Sequence, residues 1–406
     1  MKILAINHFY LPDQAATSRM LADLCEDLVT FGDEVTVIAS QVGYLAGAPR
    51  LASDEVIRGV RVQRPWTTGY GKGSLIHRMA DSISFIAAAI GAAARQMRPD
   101  VILTLTSPPL LGAGAAMVAG ARRIPLVLWM QDAFPDAVYE TGHIDRYGLA
   151  GTTLSAVMKW TLRECSRIVA LSEGMTDRIE RQGAPPNRLR VVRNWADGRC
   201  VQSIAHKENA FRREHGLENA FVVMYSGNLG IAHNPVPFIQ AARVLETEIP
   251  HLVFVFIGDG VRRKEAAELA RGLQNVRFLP YQPHERLTES LSAADVHLIS
   301  LRDELEGLVV PSKLYGALAS GRPVFYLGPE GCEVARTIRE HRVGWAGSST
   351  DAEGLIAALR KAANSPSWCA DTGARARQVL LTHYDRPIAM RDWRAVLEEA
   401  VAEGKT

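Results

Sequence analysis

The stretch Glu304-Leu305-Glu306-Gly307-Leu308-Val309-Val310-Pro311-Ser312-Lys313-Leu314-Tyr315-Gly316 gathers residue types suited to holding an anion. Pro311 and Ser312 are favoured where a helix begins, with Ser312 as its N-cap. Free amides at a helix start attract negative charge, and Lys313 adds a full positive charge there. A basic residue opposes the helix dipole at that position, so Lys313 calls for an anion or a carboxylate beside it.

Two glycine-rich turns precede this stretch. Gly227-Asn228-Leu229-Gly230 is either a plain tight turn or a place where backbone approaches a phosphate or sugar closely. Gly258-Asp259-Gly260 departs from the dinucleotide fingerprint, because Arg263 stands where the third glycine belongs. It is either a strand-to-helix turn or a setting in which Arg263 faces a diphosphate and offsets growing charge. Arg262 and Lys264 read as solvated neighbours.

In the first half, Gln131-Asp132 follows an apolar run. A carboxylate at a strand's carboxyl end can act as general base or orient a hydroxyl, and it can also merely cap a helix. Asp136 reads as a cap. His8, Tyr10 and the loop Asp13 to Thr17 follow the first strand and face the same side, or are simple loop polarity. No close carboxylate pair, Ser-His-Asp pattern or H-E-x-x-H site occurs. Chemistry in which a phosphate leaves needs positioning and charge stabilisation more than a side-chain nucleophile.

Parallel sheets are the elements that place such residues. Strands are expected at Lys2 to Asn7, Glu34 to Ser40, Val101 to Thr106, Pro125 to Met130 and Arg167 to Leu171. Ser18 to Phe31 is helical, with Gly32 ending it, and Leu110 to Ala121 is a buried helix after the Pro108-Pro109 break. The pattern restarts with strands at Phe221 to Ser226, Leu252 to Ile257, Val276 to Leu279, Val296 to Ser300 and Pro323 to Leu327. Helices are expected between them at Pro235 to Glu246, Lys264 to Gly272, Glu285 to Ser292 and Lys313 to Ser320. The fold class is therefore α/β, with two Rossmann-like doubly wound domains facing across a cleft. Residues 1–197, with a returning helix in 385–406, form the first domain, and 198–384 the second; periodicity is lost between Asn194 and Ala210.

The 406 residues suit two domains, and a net charge of +2 does not call for nucleic acid. Five scattered cysteines without a CxxC pair argue against zinc or a disulfide framework and fit a reducing, cytoplasmic setting. The first apolar run is too short for a signal-peptide core. Arg50, Arg58, Arg61, Arg64, Lys72 and Arg78 surround Trp66 and Tyr70, ahead of an apolar helix at Ile83 to Ala94. That is either a buried helix with a solvated basic loop or a surface for an anionic membrane.

Taken together, the chain resembles the retaining glycosyltransferases of family 4, with the GT-B fold. It is similar to the bacterial branch that builds surface polysaccharides, that of the colanic-acid and N-acetylfucosamine transferases. The resemblance rests on Tyr10-Leu11-Pro12, Thr106-Ser107-Pro108-Pro109, Gln131-Asp132 and Asn194-Trp195-Ala196-Asp197 in the first half. It continues through Tyr225 to Gly230, Gly258-Asp259-Gly260, Ala294-Asp295-Val296, Pro311 to Gly316 and Gly321-Arg322-Pro323.

The resemblance implies a nucleotide-sugar donor in the second domain and an acceptor on the first. Pro280 and Tyr281 would read the base, Arg263 and Lys313 would hold the diphosphate, and Gly227, Asn228, Ser312, Tyr315 and Gly316 would complete the donor site. Glu306 or Glu304 would contact the donor sugar, Asp132 would serve catalysis, and His8, Tyr10 and Thr17 would meet the acceptor. The last helix, roughly Pro387 to Val401, would cross back onto the first domain.

Retention without a required metal or cofactor follows from the same likeness. The acceptor is read as a lipid-linked or other glycan, and the setting as cytoplasmic or peripheral on the cytoplasmic face of the inner membrane. Asn228 and His233 stand where many members carry Arg and Lys. Gly316 or Ser312 stands where they carry a ribose-gripping Glu, and Ala15-Ala16 replaces a Gly-Gly pair. The donor is read as a UDP-sugar, N-acetylated or not. The alternatives are GDP-mannose, a UDP-sugar epimerase using Asp132 with His233, and a catalytically silent binding subunit.

Overall fold

The computed structural model describes residues 1–13, 15–43, 49–71, 74–142 and 144–404; Lys72, counted above among the basic residues, lies outside them. The chain forms two compact units, Met1–Arg193 with Met390–Thr406, and Asn194–Ala389.

The first unit is built on eight strands. They are β1 (Lys2–Ile6), β2 (Glu34–Ile38), β3 (Asp54–Ile57), β4 (Val60–Gln63), β5 (Val101–Leu105), β6 (Leu126–Trp129), β7 (Arg167–Ala170) and β8 (Leu189–Val191). Their order is β3-β4-β2-β1-β5-β6-β7-β8, all parallel except the antiparallel β3–β4 pair. Every residue of β5, β6 and β7 is buried, as expected of a sheet covered by helices on both faces. The β3–β4 hairpin turns at Arg58 and Gly59, both at positive φ (50° and 84°), and lies where the sequence suggested only a basic loop.

The last helix, Arg386–Glu403, begins in the second unit, and from Met390 onward it belongs to the first. Its Trp393 packs on Trp129 of β6 with ring centroids 4.5 Å apart. Arg167 of β7 pairs with Glu399 (2.9 Å) and Glu403 (2.6 Å) on the same helix.

The second unit holds β9 (Phe221–Ser226), β10 (Leu252–Ile257), β11 (Val276–Leu279), β12 (Val296–Ser300), β13 (Val324–Leu327) and β14 (Gly344–Gly347). The order is β11-β10-β9-β12-β13-β14, wholly parallel. β10 reads Leu-Val-Phe-Val-Phe-Ile and is buried throughout. The chain runs one way from β9 and the other way from β12, so the topological switch lies between them. Architectures of this kind bind ligands in a crevice at the strands' carboxyl ends at such a switch. The corresponding switch in the first unit lies between β1 and β5.

Candidate active site

At the carboxyl end of β9, Gly227 adopts φ 128°, a region that L side chains avoid. A Cβ on it would stand 2.9 Å from the Lys313 Cε, so the missing side chain makes room for the lysine. Gly258 and Gly260 after β10 also have positive φ (123° and 137°), and side chains there would strike the carbonyls of Gly227 and Leu229. The Gly227 amide donates to the Ile257 carbonyl (2.9 Å), the Leu229 amide to Asp259 (2.7 Å) and the Arg262 amide to Leu229 (3.1 Å). The glycines at 258 and 260 thus serve a close approach of two protein loops, which fixes the backbone around Asn228. Asn228 itself is exposed, and its carbonyl accepts from the Tyr225 hydroxyl at 2.9 Å.

Lys313 opens the helix Lys313–Ala319 at the switch point. The expected carboxylate is absent among the described residues. Its Nζ instead lies 2.9 Å from Nε2 of His233 and 5.0 Å from the centre of the Tyr225 ring. Burial lowers the ammonium pKa to about 7. Ser312 precedes the helix but does not cap it: its backbone is already helical (φ −65°, ψ −13°) and its side chain makes no capping bond.

Arg263 opens the helix Arg263–Leu269, and its guanidinium lies 5.6 Å from the centre of the Phe278 ring, with no acid paired to it among the described residues. Arg262, by contrast, is neutralised by Glu265 at 2.7 Å. Tyr281 is 52% exposed with its ring against Gly258, and Pro280 is exposed beside it.

The two glutamates separate. Glu304 pairs with Arg302 at 3.2 Å, whereas Glu306 lies against Gly331 without an ion pair among the described residues. A cavity of about 600 Å³ opens beside Asn234, Arg262, Arg302 and Glu304, and Lys313, Arg263 and Glu306 do not line it. Tyr315 corrects the expectation drawn for it. It is 1% exposed and packs edge-on to Tyr384 at 5.5 Å, so its ring fills core. Gly316 packs towards Leu291.

In the first unit, His8 follows β1 at the switch point, and its amide donates to the Ser107 carbonyl at 3.1 Å. Its ring stacks on Phe9 and Phe85 (4.4 and 4.7 Å), and burial lowers its pKa to about 4. It is therefore a neutral imidazole at pH 7. Tyr10 is a second correction: at 1% exposure it lies in the core near Cys25 and has no free face for an acceptor. Thr17 is half-buried in the first turn of the helix Ala16–Thr30.

Asp132 follows β6. The short helix Asp136–Glu140 has Pro135 at its N-cap position, so Asp132 does not cap it. Its carboxylate meets no cation or donor among the described residues. The surrounding protein excludes enough water to push its pKa up to about 6. Asp136 pairs with Arg146 at 3.3 Å.

The basic patch is smaller than the sequence suggested. Arg58 pairs with Glu26, Arg61 with Asp54, and the buried Arg64 with Glu55. Sequence reasoning missed these partners because the β3–β4 hairpin brings two of them in. His233 was missed as a lysine partner as well, since 80 residues separate the two and no local pattern joins them.

Residues 16–195 match the Glycosyl transferase 4-like domain, and residues 207–379 match Glycosyl transferases group 1. The probable glycosyltransferase WbjE of Pseudomonas aeruginosa is 25% identical over 313 residues, 77% of each chain. The putative colanic acid biosynthesis glycosyl transferase WcaI of Escherichia coli (strain K12) is 26% identical over 336 residues, 79% of this chain and 82% of that one. Anabaena Alr3699/HepE, solved in complex with UDP and glucose, has the same fold at a TM-score of 0.73 and 17% identity, covering 98% of this chain and 99% of that one. With its two halves matched in succession by glycosyltransferase domains, the chain belongs to the two-domain glycosyltransferases of the GT-B fold.

Proposed function

We propose that the chain moves a sugar from a UDP-sugar, with retention, onto a lipid-linked or other glycan during surface-polysaccharide assembly. The observation that carries this reading is Lys313, an ammonium at the switch point that meets no carboxylate among the described residues and so suits an incoming diphosphate. Arg263 adds a second cation without an acid partner among the described residues. The names of WcaI and WbjE and the UDP bound to HepE support the substrate class.

In this reading Lys313 and Arg263 stabilise the charge that grows on the departing diphosphate, which helps take the acceptor proton. Glu306, without an ion pair among the described residues, contacts the donor sugar in preference to Glu304. Pro280 and Tyr281 meet the base, and Asn228, Gly227 and Ser312 border the phosphates. Asp132 orients the acceptor hydroxyl or takes its proton, and His8 and Thr17, in the same unit, meet the acceptor. No metal is needed, because side-chain cations meet the charge.

An epimerase loses its second acid-base group. His233 is fixed between a carbonyl and an ammonium, and burial holds its pKa down at about 3. Thermal-shift titration tests the donor. At 100 times its Kd, UDP is expected to raise the melting temperature by about 5 °C, with GDP and dTDP giving less. A larger shift with GDP favours a GDP-mannose donor, and no shift with any of them favours a silent subunit.

The reading also places the chain on the cytoplasmic face of the inner membrane as a peripheral protein. No helix among the described residues is long and apolar enough to cross a membrane. Trp66, Tyr70, Ile76, Met79 and Ile83 are nevertheless 54–77% exposed, beside Arg50 and Arg78. Vesicles containing phosphatidylglycerol should float the protein, and pure phosphatidylcholine vesicles should not. Replacing Ile76 and Ile83 together by Ser should lower the bound fraction about tenfold. Flotation indifferent to both changes would remove membrane docking from the reading.

A further inference from the structure

The way Lys313 is held carries a second conclusion. His233 is 7% exposed, and its Nδ1 lies 2.6 Å from the Ser300 carbonyl oxygen. A carbonyl only accepts, so Nδ1 carries the proton and Nε2 presents a lone pair. That lone pair accepts from the Lys313 ammonium at 2.9 Å. We propose that His233 is a positioning residue, a neutral, tautomer-locked imidazole that fixes the Lys313 ammonium in place and leaves its charge available to a diphosphate.

The surroundings hold the ring rigidly. The Asn234 amide donates to the Ser300 hydroxyl at 3.2 Å, and the Arg302 amide donates to the Ala232 carbonyl at 3.0 Å. Arg262 donates to the His233 carbonyl at 2.8 Å. The charged and titratable groups facing the pair are Tyr225 beneath the ammonium and Arg262, whose charge Glu265 already balances. A carboxylate in place of His233 would hold the lysine equally well but cancel its charge and repel a phosphate. An imidazole satisfies one N–H and leaves the positive charge whole. Burial and the adjacent lysine keep the ring neutral, with a pKa of about 3, while burial brings the lysine down to about 7.

This inference rests on Lys313 being a diphosphate ligand, and the test separates the two. UDP affinity, with GDP in parallel, is measured at about pH 6 and pH 8 by calorimetry. In the intact protein affinity falls as pH rises, because Lys313 loses its proton in the free state. His233→Asn retains a donor for Ser300 but loses the acceptor for Lys313, so the ammonium is lost at lower pH. UDP should then bind within about twofold of the unmodified protein at pH 6 and about tenfold more weakly at pH 8.

His233→Gln, whose amide oxygen can reach Lys313, should restore the profile. An Asn variant equal to the unmodified protein at both pH values, or weaker by one factor at both, overturns the proposal. So does a Gln variant that behaves like the Asn one. Lys313→Ala with unchanged affinity sinks the diphosphate reading itself, independently of His233. If the Asn variant does not fold, ¹⁵N resonances of His233 in the intact protein decide. The Nδ1-protonated tautomer is expected throughout, and the Nε2-protonated one contradicts the proposal.

Discussion

Lys313→Ala should weaken UDP binding about 100-fold while leaving the free protein at least as stable as before. A charge-assisted hydrogen bond to a phosphate is worth about 1.5–3 kcal/mol, and more when water is excluded, so a loss near 2.8 kcal/mol gives two decades in Kd. The cost to folding runs the other way. Burial lowers the pKa from 10.5 to about 7, so the folded state disfavours the cation, and this penalty fades as pH rises through that window. The Ala side chain removes the penalty and leaves His233 with one unfilled acceptor. Lys313→Arg should recover only part of the affinity, because the wider guanidinium must fit over Gly227 and onto Nε2 of His233. Calorimetry with UDP measures both, alongside thermal melting of the unliganded proteins. Affinity unchanged in the Ala variant would exclude Lys313 from the donor site.

Asp132→Asn should cut turnover by about 100- to 1000-fold and spare UDP affinity. The carboxylate form is the active one, and its pKa is raised to about 6. The rate of the unmodified enzyme should therefore climb between about pH 5 and pH 7 and level off as Asp132 ionises. The Asn variant should lose that limb, because an amide neither titrates nor accepts the proton. UDP release from the donor selected by thermal shift, followed across this range, provides the readout. Full activity in the variant, or an unaltered limb, would reduce Asp132 to a surface carboxylate.

The strands that build both switch points were legible because a parallel sheet is buried on both faces. Leu252–Ile257 reads as an unbroken apolar run, and Val101–Leu105 carries only Thr104 among apolar residues. Four strands escaped for reasons of composition, among them Val60–Gln63, which reads Val-Arg-Val-Gln inside the basic stretch. Asp54–Ile57 is half acidic, Leu189–Val191 is three residues long, and Gly344–Gly347 reads Gly-Trp-Ala-Gly, with little that favours extended backbone.

At the site, a lysine where a helix begins is an electrostatic oddity visible in the sequence, and it led to Lys313. Its partner was not visible, because contact between positions 233 and 313 exists only once β9 and β12 lie side by side. Tyr10 and Tyr315 misled for the opposite reason. A tyrosine near a motif suggests a polar tip facing a ligand, but both rings are spent on filling cores.

The helix Arg386–Glu403 ties the first unit to residues made after the second one. Trp129 is covered by Trp393, and among the described residues Arg167 meets its carboxylates at Glu399 and Glu403. On the ribosome the earlier-made unit must therefore wait, with one apolar flank open, while residues 194–389 are added. At 5–20 residues per second that interval is roughly 10–40 s. The unit translated first is completed only after the second has been made, and a stop codon just before Met390 would injure the unit made first.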